Sequence, residues 1–202
     1  MTGKLYIICA PSGTGKTSLV DKLIKILPNL EVSISHTTRA MRSGEKNNTN
    51  YHFITIPEFK KLIEENAFLE YATVFDNFYG TSRHWVENKL ADNIDVILEI
   101  DWQGAAQIRK LFPHTISIFI FPPSIEILSQ RLRDRGQDHE SVIAKRLNEA
   151  RHEMSHFEEF DYLVINDNFD AAVSDLKAII LSQRLKVNIQ KKKYKDLIKK
   201  LL

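Results

Sequence analysis

A short segment near the N-terminus has the residue types that are needed to hold a polyphosphate. It follows the apolar run 5–9 and consists, in order, of Ala10, Pro11, Ser12, Gly13, Thr14, Gly15, Lys16 and Thr17. The two glycines let the backbone curl so that successive N–H groups point inward, and Lys16 adds a cation for the outer phosphates. The hydroxyl of Thr17 is a ligand for Mg²⁺. Because a helix start favours anions, the segment predicts a nucleoside triphosphate site between a strand and a helix.

This segment departs from the usual phosphate-binding loop at its first position. The pattern G-x-x-x-x-G-K-[ST] asks for glycine where this chain has Ala10. Alanine fits there if its φ angle is negative. The alternative is an ordinary glycine-rich turn, which is disfavoured because Gly-Lys-Thr would then have to fall at a helix start by chance.

Two carboxylates lie at the end of another apolar run, which covers residues 96–101. Side chains of a strand repeat their face every two residues, so Glu99 and Asp101 share a face. Ligands of parallel α/β sheets bind beyond the carboxyl ends of the strands, and Asp101 is therefore predicted to hold Mg²⁺ through water beside Thr17. A solvated strand end is the alternative, and two carboxylates within apolar sequence make it less favourable.

A set of arginines follows in the second half of the chain. Phosphoryl transfer needs cations as negative charge spreads over the equatorial oxygens. Residues 134–148 are charged and have a helical pattern, which predicts a flap that closes over the loop and excludes water. Taken without the phosphate loop, the arginines fit a salt-bridged helix surface better. They are Arg131, Arg133, Arg135, Arg146 and Arg151.

A second anion site is predicted between residues 33 and 81. Two guanidinium groups and a phenol hydroxyl there, from Arg39, Arg42 and Tyr51, suit a monophosphate. Each of them alone would be an ordinary surface residue. The same stretch also carries polar groups able to read a base, namely Ser35, Glu70, Tyr79 and Thr81.

The elements that must position these residues alternate between strands and helices, which predicts an α/β fold around a parallel sheet. We expect strands over 4–9, 95–100, 116–121 and 162–166. We expect helices over 16–27, 57–66, 83–92, 103–111, 124–134, 139–156 and 170–186. Residues 33–39, 51–54 and 68–71 are short and strand-like, and they predict a small, mostly antiparallel insert.

Composition narrows the class of protein. The 202 residues suit one globular domain, and no apolar run approaches the ~20 residues of a membrane span. No leader-like segment precedes the first predicted strand, and the single cysteine, Cys9, fits a reducing cytoplasm. The net charge of +2 hides a basic end, because residues 184–202 carry eight basic side chains and one acidic side chain. We expect this end to be solvated and partly helical, with RNA or membrane contact as the minor interpretation.

The seven histidines show no spacing typical of metal ligands except His152 and His156, which lie four residues apart. A zinc protease site would need a glutamate directly after the first histidine, together with a third ligand elsewhere. Glu153 does follow His152, so residues 152–156 match H-E-x-x-H, but no third ligand is indicated and metal binding is not predicted there.

Several motifs, taken in order, resemble those of the bacterial guanylate kinase family. They are the phosphate loop, Ser35-His-Thr-Thr-Arg39, Arg42-Ser-Gly-Glu45, Glu70, Tyr79-Gly-Thr-Ser-Arg83, Asp101-Trp-Gln-Gly104, Arg131-Leu-Arg-Asp-Arg135-Gly136 and Asn166-Asp167. The resemblance covers residues 3–185. It implies an enzyme that transfers phosphate from ATP to GMP with Mg²⁺ as cofactor, giving ADP and GDP, in the cytoplasm. It also implies a monomer or homodimer whose partners are these two nucleotides rather than nucleic acid or membrane.

The same resemblance implies a three-layer P-loop fold and a role for each matched residue. The expected divisions are a core (3–32, 82–133 and 157–185), a GMP-binding insert (33–81), a helical lid (134–156) and a basic tail (186–202). ATP would be bound by residues 10–17 and Asn166, and GMP by Ser35, Arg39, Arg42, Tyr51, Glu70, Tyr79, Thr81 and Glu99. Glu99 stands where the family commonly has Asp. Catalytic roles fall to Lys16, Asp101, Arg135 and Arg146, and Mg²⁺ to Thr17 and Asp101.

Base chemistry supports guanine over adenine. Glu70 can accept from the N1–H and N2–H groups of guanine, while Ser35 or Thr81 can donate to O6. Adenine would set a lone pair against Glu70, and matched polar sites reject such a mismatch by about 10⁴–10⁵-fold. Two other interpretations are a noncatalytic module of this family, which typically lacks a working phosphate loop, and a kinase with another acceptor such as AMP or UMP.

Overall fold

The computed structural model describes residues 3–74, 76–134 and 140–202 of the chain. Its strands are β1 (Leu5–Cys9), β2 (Leu30–Val32), β3 (His36–Thr37), β4 (His52–Phe53), β5 (Phe68–Val74), β6 (Asn77–Ser82), β7 (Asp95–Glu99), β8 (Ile116–Phe121) and β9 (Tyr162–Ile165). Its α-helices are α1 (Lys16–Ile26), α2 (Ile56–Glu64), α3 (Arg83–Ala91), α4 (Trp102–Leu111), α5 (Ile125–Asp134), α6 (Glu140–Met154), α7 (Phe169–Arg184), α8 (Val187–Lys193) and α9 (Lys195–Leu201).

The central sheet has five parallel strands in the order β2-β7-β1-β8-β9. Four of them were predicted from their apolar runs. The fifth, β2, was missed because three residues are too few to show a period. The parallel order brings the ends of β1, β7 and β9 to one edge, where residues 10–17, Asp101 and Asn166 follow.

The core lies on both faces of this sheet, because alternate residues of a buried strand point in opposite directions. Tyr6 and Ile8 of β1 pack with α1 and α7 on one face. Leu5 and Ile7 pack with α3 and α4 on the other. These three layers confirm the predicted fold class.

Asparagines end three of the helices. Asn29, Asn66 and Asn93 follow the ends of α1, α2 and α3 and have positive φ angles of 54°, 53° and 65°. Asparagine tolerates this left-handed conformation better than most residues, which lets the chain turn sharply into the next strand.

A second sheet of four strands has the order β4-β3-β6-β5. The pairs β3–β6 and β5–β6 are antiparallel, and β3–β4 is parallel, which confirms a mixed and mostly antiparallel arrangement. The division into core, insert and lid remains a prediction.

The single strand predicted over 33–39 was wrong. The N–H of Ser33 donates to the carbonyl of Ile97 in β7 at 2.9 Å, so this residue still belongs to the central sheet. His36 instead pairs with Gly80 in β6. The alternating pattern is shared between two sheets, because the chain crosses from one to the other between these residues.

A partly buried ion pair joins the last long helix to the opposite edge of the central sheet. Nε of Arg184 donates to Asp95 Oδ2 at 2.8 Å, and a second guanidinium nitrogen donates to the carbonyl of Asn29 at 3.1 Å. Asp95 also accepts from the N–H of Lys4 at 2.8 Å. The end of α7 is thereby fixed to β7 and to the turn before β2.

Beyond this pair, α8 and α9 confirm the predicted partly helical end. Leu185, Val187, Leu197 and Leu201 remain exposed there. Across the described residues, no helix combines the length and apolarity needed to cross a bilayer.

We predict that Arg184→Ala lowers the free energy of unfolding by about 2 kcal/mol, because the buried carboxylate of Asp95 would lose its charged donor. Urea denaturation followed by circular dichroism measures this loss. Lys177→Ala on the exposed side of the same helix is the control and should change stability by less than about 0.5 kcal/mol. Equal stability of the two variants would contradict the importance of the pair.

Candidate active site

The predicted phosphate loop is a tight turn between β1 and α1. Gly13 and Gly15 have φ angles of 90° and 95°, which L-residues with side chains rarely adopt. Gly15 occupies the N-cap of α1, so the first N–H groups of the helix open into the loop. Ala10 lacks a positive φ, and alanine is therefore accommodated at the position where the usual pattern has glycine.

The outer side of the loop is held by two side chains from distant parts of the chain. Nδ2 of Asn166 donates to the carbonyl of Thr14 at 2.6 Å, and Arg131 donates to the same oxygen at 3.2 Å. Arg131 also donates to the carbonyl of Asn166 at 3.2 Å. Leu128 and Leu132 of α5 lie directly beside Gly13. The loop is therefore braced by α5 and by the end of β9.

Lys16 is surrounded by acidic groups. Burial works against its charge, but Glu99 and weaker neighbours outweigh this and raise the pKa of Lys16 above its ordinary value. Burial in turn raises the pKa of Glu99, against the effects of Lys16 and Thr17. The Thr17 hydroxyl donates to Glu99 at 3.2 Å. Lys16 thus remains a cation at neutral pH.

Asp101 lies at the edge of the sheet and caps α4. Its Oδ1 accepts the N–H of Gly104 at 2.8 Å, and its Oδ2 accepts from the Gln103 amide at 3.1 Å. These bonds fix the carboxylate at the helix N-terminus, where the helix dipole favours its negative charge. Its predicted role with a metal remains a prediction.

The predicted base site contains a buried acid and a buried hydroxyl. Glu70 is 3 % exposed and Thr81 is fully buried, and the Thr81 hydroxyl donates to Glu70 Oε1 at 2.5 Å. Burial raises the pKa of Glu70 to about 7, with Thr81 acting in the opposite direction and Asp101 adding to the rise. Ser35 is also buried.

Gly104 is the reason that Glu70 can approach α4 so closely. A Cβ atom at position 104 would lie 2.6 Å from Glu70 Oε2 and 3.4 Å from Asp101 Oδ1. Glycine is helical here and costs helix stability relative to alanine. Its retention therefore serves the contact between the acid of the second sheet and the first turn of α4.

The predicted phosphate clamp is assembled around Arg39. Its guanidinium group donates to both oxygens of Glu45, at 2.8 Å and 3.1 Å, and lies over the rings of Tyr51 and Phe53. Glu45 also accepts the N–H of Arg42 at 2.7 Å. Tyr79 interacts electrostatically with Arg39, and its ring lies 5.9 Å from that of Tyr51.

The loop and the second sheet contribute to one cleft. Tyr51 interacts electrostatically with Lys16 and Glu99, and Glu70 interacts with Asp101. The two predicted anion sites therefore adjoin each other through these residues, and their ligands remain predictions. Arg146 lies on α6, and Arg135 lies outside the described residues.

Four contributions were missed by sequence reasoning. Glu45 pairs with Arg39, Gly104 admits Glu70, and Arg131 bonds a loop carbonyl rather than pointing to an incoming phosphate. The fourth, Glu153 of α6, interacts with Lys16 and Asp101, and burial raises its pKa to about 7 although Lys16 opposes the rise. The first three residues lie in recognised motifs, but nothing local distinguishes Glu153 from an exposed helical glutamate.

Comparisons with known proteins give a consistent result. The guanylate kinase family model matches residues 2–183. Over 201 residues, the chain is 55 % identical to a guanylate kinase of Saccharophagus degradans, covering 100 % of this chain and 98 % of that protein. A guanylate kinase of Escherichia coli K12 is 54 % identical over 202 residues, covering 99 % and 98 %. The crystal structure of guanylate kinase from Anaplasma phagocytophilum superposes with a TM-score of 0.79 at 33 % identity, covering 92 % of this chain and 88 % of that one.

The raised pKa of Glu70 predicts a pH-dependent stability. Between its ordinary pKa of 4.5 and about 7, the folded protein keeps a proton that the unfolded chain has lost, so this group lowers stability as pH rises. The total is up to about 3 kcal/mol at 1.36 kcal/mol per pH unit. Urea denaturation at pH 5 and pH 8 should show Glu70→Gln gaining stability relative to wild type at the higher pH. Parallel profiles would contradict the burial of this acid, and Glu158→Gln, an exposed acid, is the control.

Proposed function

Because this chain belongs to the guanylate kinase family, we propose roles for its own residues in ATP:GMP phosphotransfer, the reaction that gives ADP and GDP. The chain is a nucleoside monophosphate kinase. The observation that supports this assignment of roles is that Glu70 bonds Thr81 and interacts with Asp101, while Tyr51 of the same region interacts with Lys16 of the phosphate loop.

ATP is the ligand of the phosphate loop. Residues 10–17 offer inward N–H groups to its phosphates, and Lys16 neutralises the outer ones. Asn166 and Arg131 hold the loop from the outer side, and Asn166 also lies near the adenine. This arrangement keeps the donor phosphates in place while the acceptor arrives.

GMP is the ligand of the second sheet. Glu70 accepts from N1–H and N2–H of guanine, and Ser35 donates to O6, because the single hydroxyl proton of Thr81 is already donated to Glu70. The hydrogen bond from Thr81 fixes the carboxylate before the base arrives, which lowers the ordering cost of binding. Arg39, Arg42, Tyr51 and Tyr79 bind the phosphate of GMP. Glu99 interacts electrostatically with Lys16, and it therefore influences both the GMP site and the ATP site.

Mg²⁺ fits the oxygen groups beside the loop. Thr17 and Asp101 are hard donors, and Glu99 bonds the Thr17 hydroxyl. Within the described ranges, no three His, Cys, Asp or Glu side chains are arranged to hold a metal by themselves. A site with so few protein ligands suits Mg²⁺, which commonly keeps several water ligands and is also coordinated by substrate phosphates. When bound, it neutralises charge on the transferring phosphate.

The chemistry requires no covalent nucleophile. The acceptor oxygen of GMP is already anionic at neutral pH, so the chain acts by aligning the two nucleotides and excluding water. Arg146, on the proposed lid, brings positive charge to the transferring group when the lid closes, and Arg135 is proposed to act with it. The division into core, insert and lid, like the cytoplasmic location, belongs to the same proposal.

We predict that Lys16→Ala lowers kcat by about 10²–10³-fold, because it removes a cation from the developing charge. Coupled ADP detection with ATP, Mg²⁺ and GMP measures the loss. Lys25→Ala, in the exposed last turn of α1, is the matched control and should retain wild-type turnover. Near-normal activity of Lys16→Ala would exclude the proposed ATP site, and wild-type turnover of AMP, UMP or CMP but not GMP would exclude the acceptor.

We also predict that Gly104→Ala raises the KM for GMP by at least about 10-fold, because the added methyl group displaces the Glu70 carboxylate. The KM for ATP should change by less than about 2-fold. An unchanged KM for ATP excludes a general loss of folding as the cause. Glu70→Gln should show the same selectivity for the GMP side, and an equal loss for both nucleotides would place the base site elsewhere.

A further inference from the structure

A tryptophan next to the acid at the sheet edge stacks on a histidine that follows α6. Trp102 is the first residue of α4 and directly follows Asp101. Its ring lies 3.8 Å from that of His156, at an interplanar angle of 5°. His152 meets the same tryptophan edge-on at 5.7 Å. The end of α6 is thus packed against the residue beside Asp101.

The same segment is tied to α4 a second time, about two turns further along that helix. Nδ1 of His156 hydrogen bonds to Glu159 at 2.6 Å, and Glu159 accepts from Arg109 of α4 at 2.7 Å. Arg109 also lies over the ring of Phe160 at 5.1 Å. We call Trp102, His156, Glu159 and Arg109 the Trp102 clasp. Its two attachments leave the segment after α6 little freedom to slide along α4.

Between the two histidines lies Glu153, whose side chain interacts with both Lys16 and Asp101. The hydroxyl of Ser155 closes the helix end by donating to the carbonyl of His152 at 2.6 Å. Further up α6, Ile143 and Ala150 pack with Leu128 and Leu132 of α5, the residues that lie beside Gly13. The helix therefore packs on the α5 residues that lie beside the phosphate loop, and it interacts electrostatically with the loop lysine through Glu153.

We propose that the Trp102 clasp is a positioning device: it fixes the end of α6 so that Glu153 stands beside Lys16 and Asp101 during phosphoryl transfer. Trp102 and His156 act through Glu153 and are positioning residues. The proposal rests on the proposed function, since it assigns Lys16 to the donor phosphate. It adds a lid-borne carboxylate that holds the loop lysine while the lid arginines approach.

A double-mutant cycle tests this coupling. His156→Gln removes the stacked ring but keeps a donor for Glu159, and we expect kcat to fall about 3- to 10-fold, with the GMP dissociation constant unchanged. Glu153→Gln should lower kcat about 10-fold. If the clasp acts through Glu153, the double variant is no more than about 2-fold below Glu153→Gln alone. Multiplication of the two losses, or wild-type kcat in His156→Gln, would overturn the proposal.

Matched variants separate positioning from general damage. Glu158→Gln removes an exposed acid five residues after Glu153 and should leave kcat unchanged, alone or with His156→Gln. Trp102→Leu removes the other ring of the stack. It replaces His156→Gln in the double-mutant cycle if that variant does not fold. Trp102→Phe keeps a ring and should recover kcat to within about 3-fold of wild type. No recovery would count against stacking as the cause.

The ATP dissociation constant, measured by calorimetry without GMP, gives a readout that needs no turnover. If the wild-type protein does not convert GMP, the proposed function is wrong. The Trp102 clasp is then tested by the ATP dissociation constants alone. We expect the changes in the ATP dissociation constant to be non-additive as well, with the double variant close to Glu153→Gln alone. Equal ATP dissociation constants in the four proteins of the cycle, or fully additive changes, would overturn the clasp while leaving GMP phosphorylation intact.

Discussion

A loop that turns its N–H groups toward one point must leave carbonyl oxygens facing the other way, and these need donors. In this protein the carbonyl of Thr14 is the oxygen concerned. Asn166 and Arg131 both donate to it, and they come from the end of β9 and from α5. The phosphate loop therefore depends on the parallel order of the sheet, which places these distant segments side by side. Without those donors, a partly buried carbonyl would be left without hydrogen bonds, and this conformation of the loop would be less stable.

The second constraint is electrostatic. Lys16 interacts with Glu99 and Glu153, and Glu153 interacts in turn with Asp101. Like charges in such partly buried surroundings repel more strongly than in bulk solvent. Burial raises the pKa of Glu99 and of Glu153, which shows that the fold tolerates these acids at some cost. Lys16 interacts with both of them, so its ammonium group is the charge that allows the acids to share one site.

Much of this arrangement could be predicted from sequence because it is local. The phosphate loop occupies eight consecutive residues, and uninterrupted apolar runs predict the long strands. The failures have a different cause. The pattern over 33–39 is shared by two sheets, β2 is too short to show a period, and Glu153 looks like any helical glutamate until α6 is packed in place. The structural roles of Gly104 and His156 likewise arise from contacts across the fold, and spacing along the chain does not encode such contacts.

The pairing of Arg39 with Glu45 bears on how the enzyme lets its product go. Arg39, Arg42 and Glu45 together carry one net positive charge, since the carboxylate occupies two donors of one guanidinium group. Two arginines without that acid would bind both the monophosphate substrate and the diphosphate product tightly, and tight binding lengthens the residence time of the product. In the proposed phosphate site, Glu45 lowers the net positive charge that faces the ester, and we infer that this shortens the residence of the diphosphate product and favours repeated turnover.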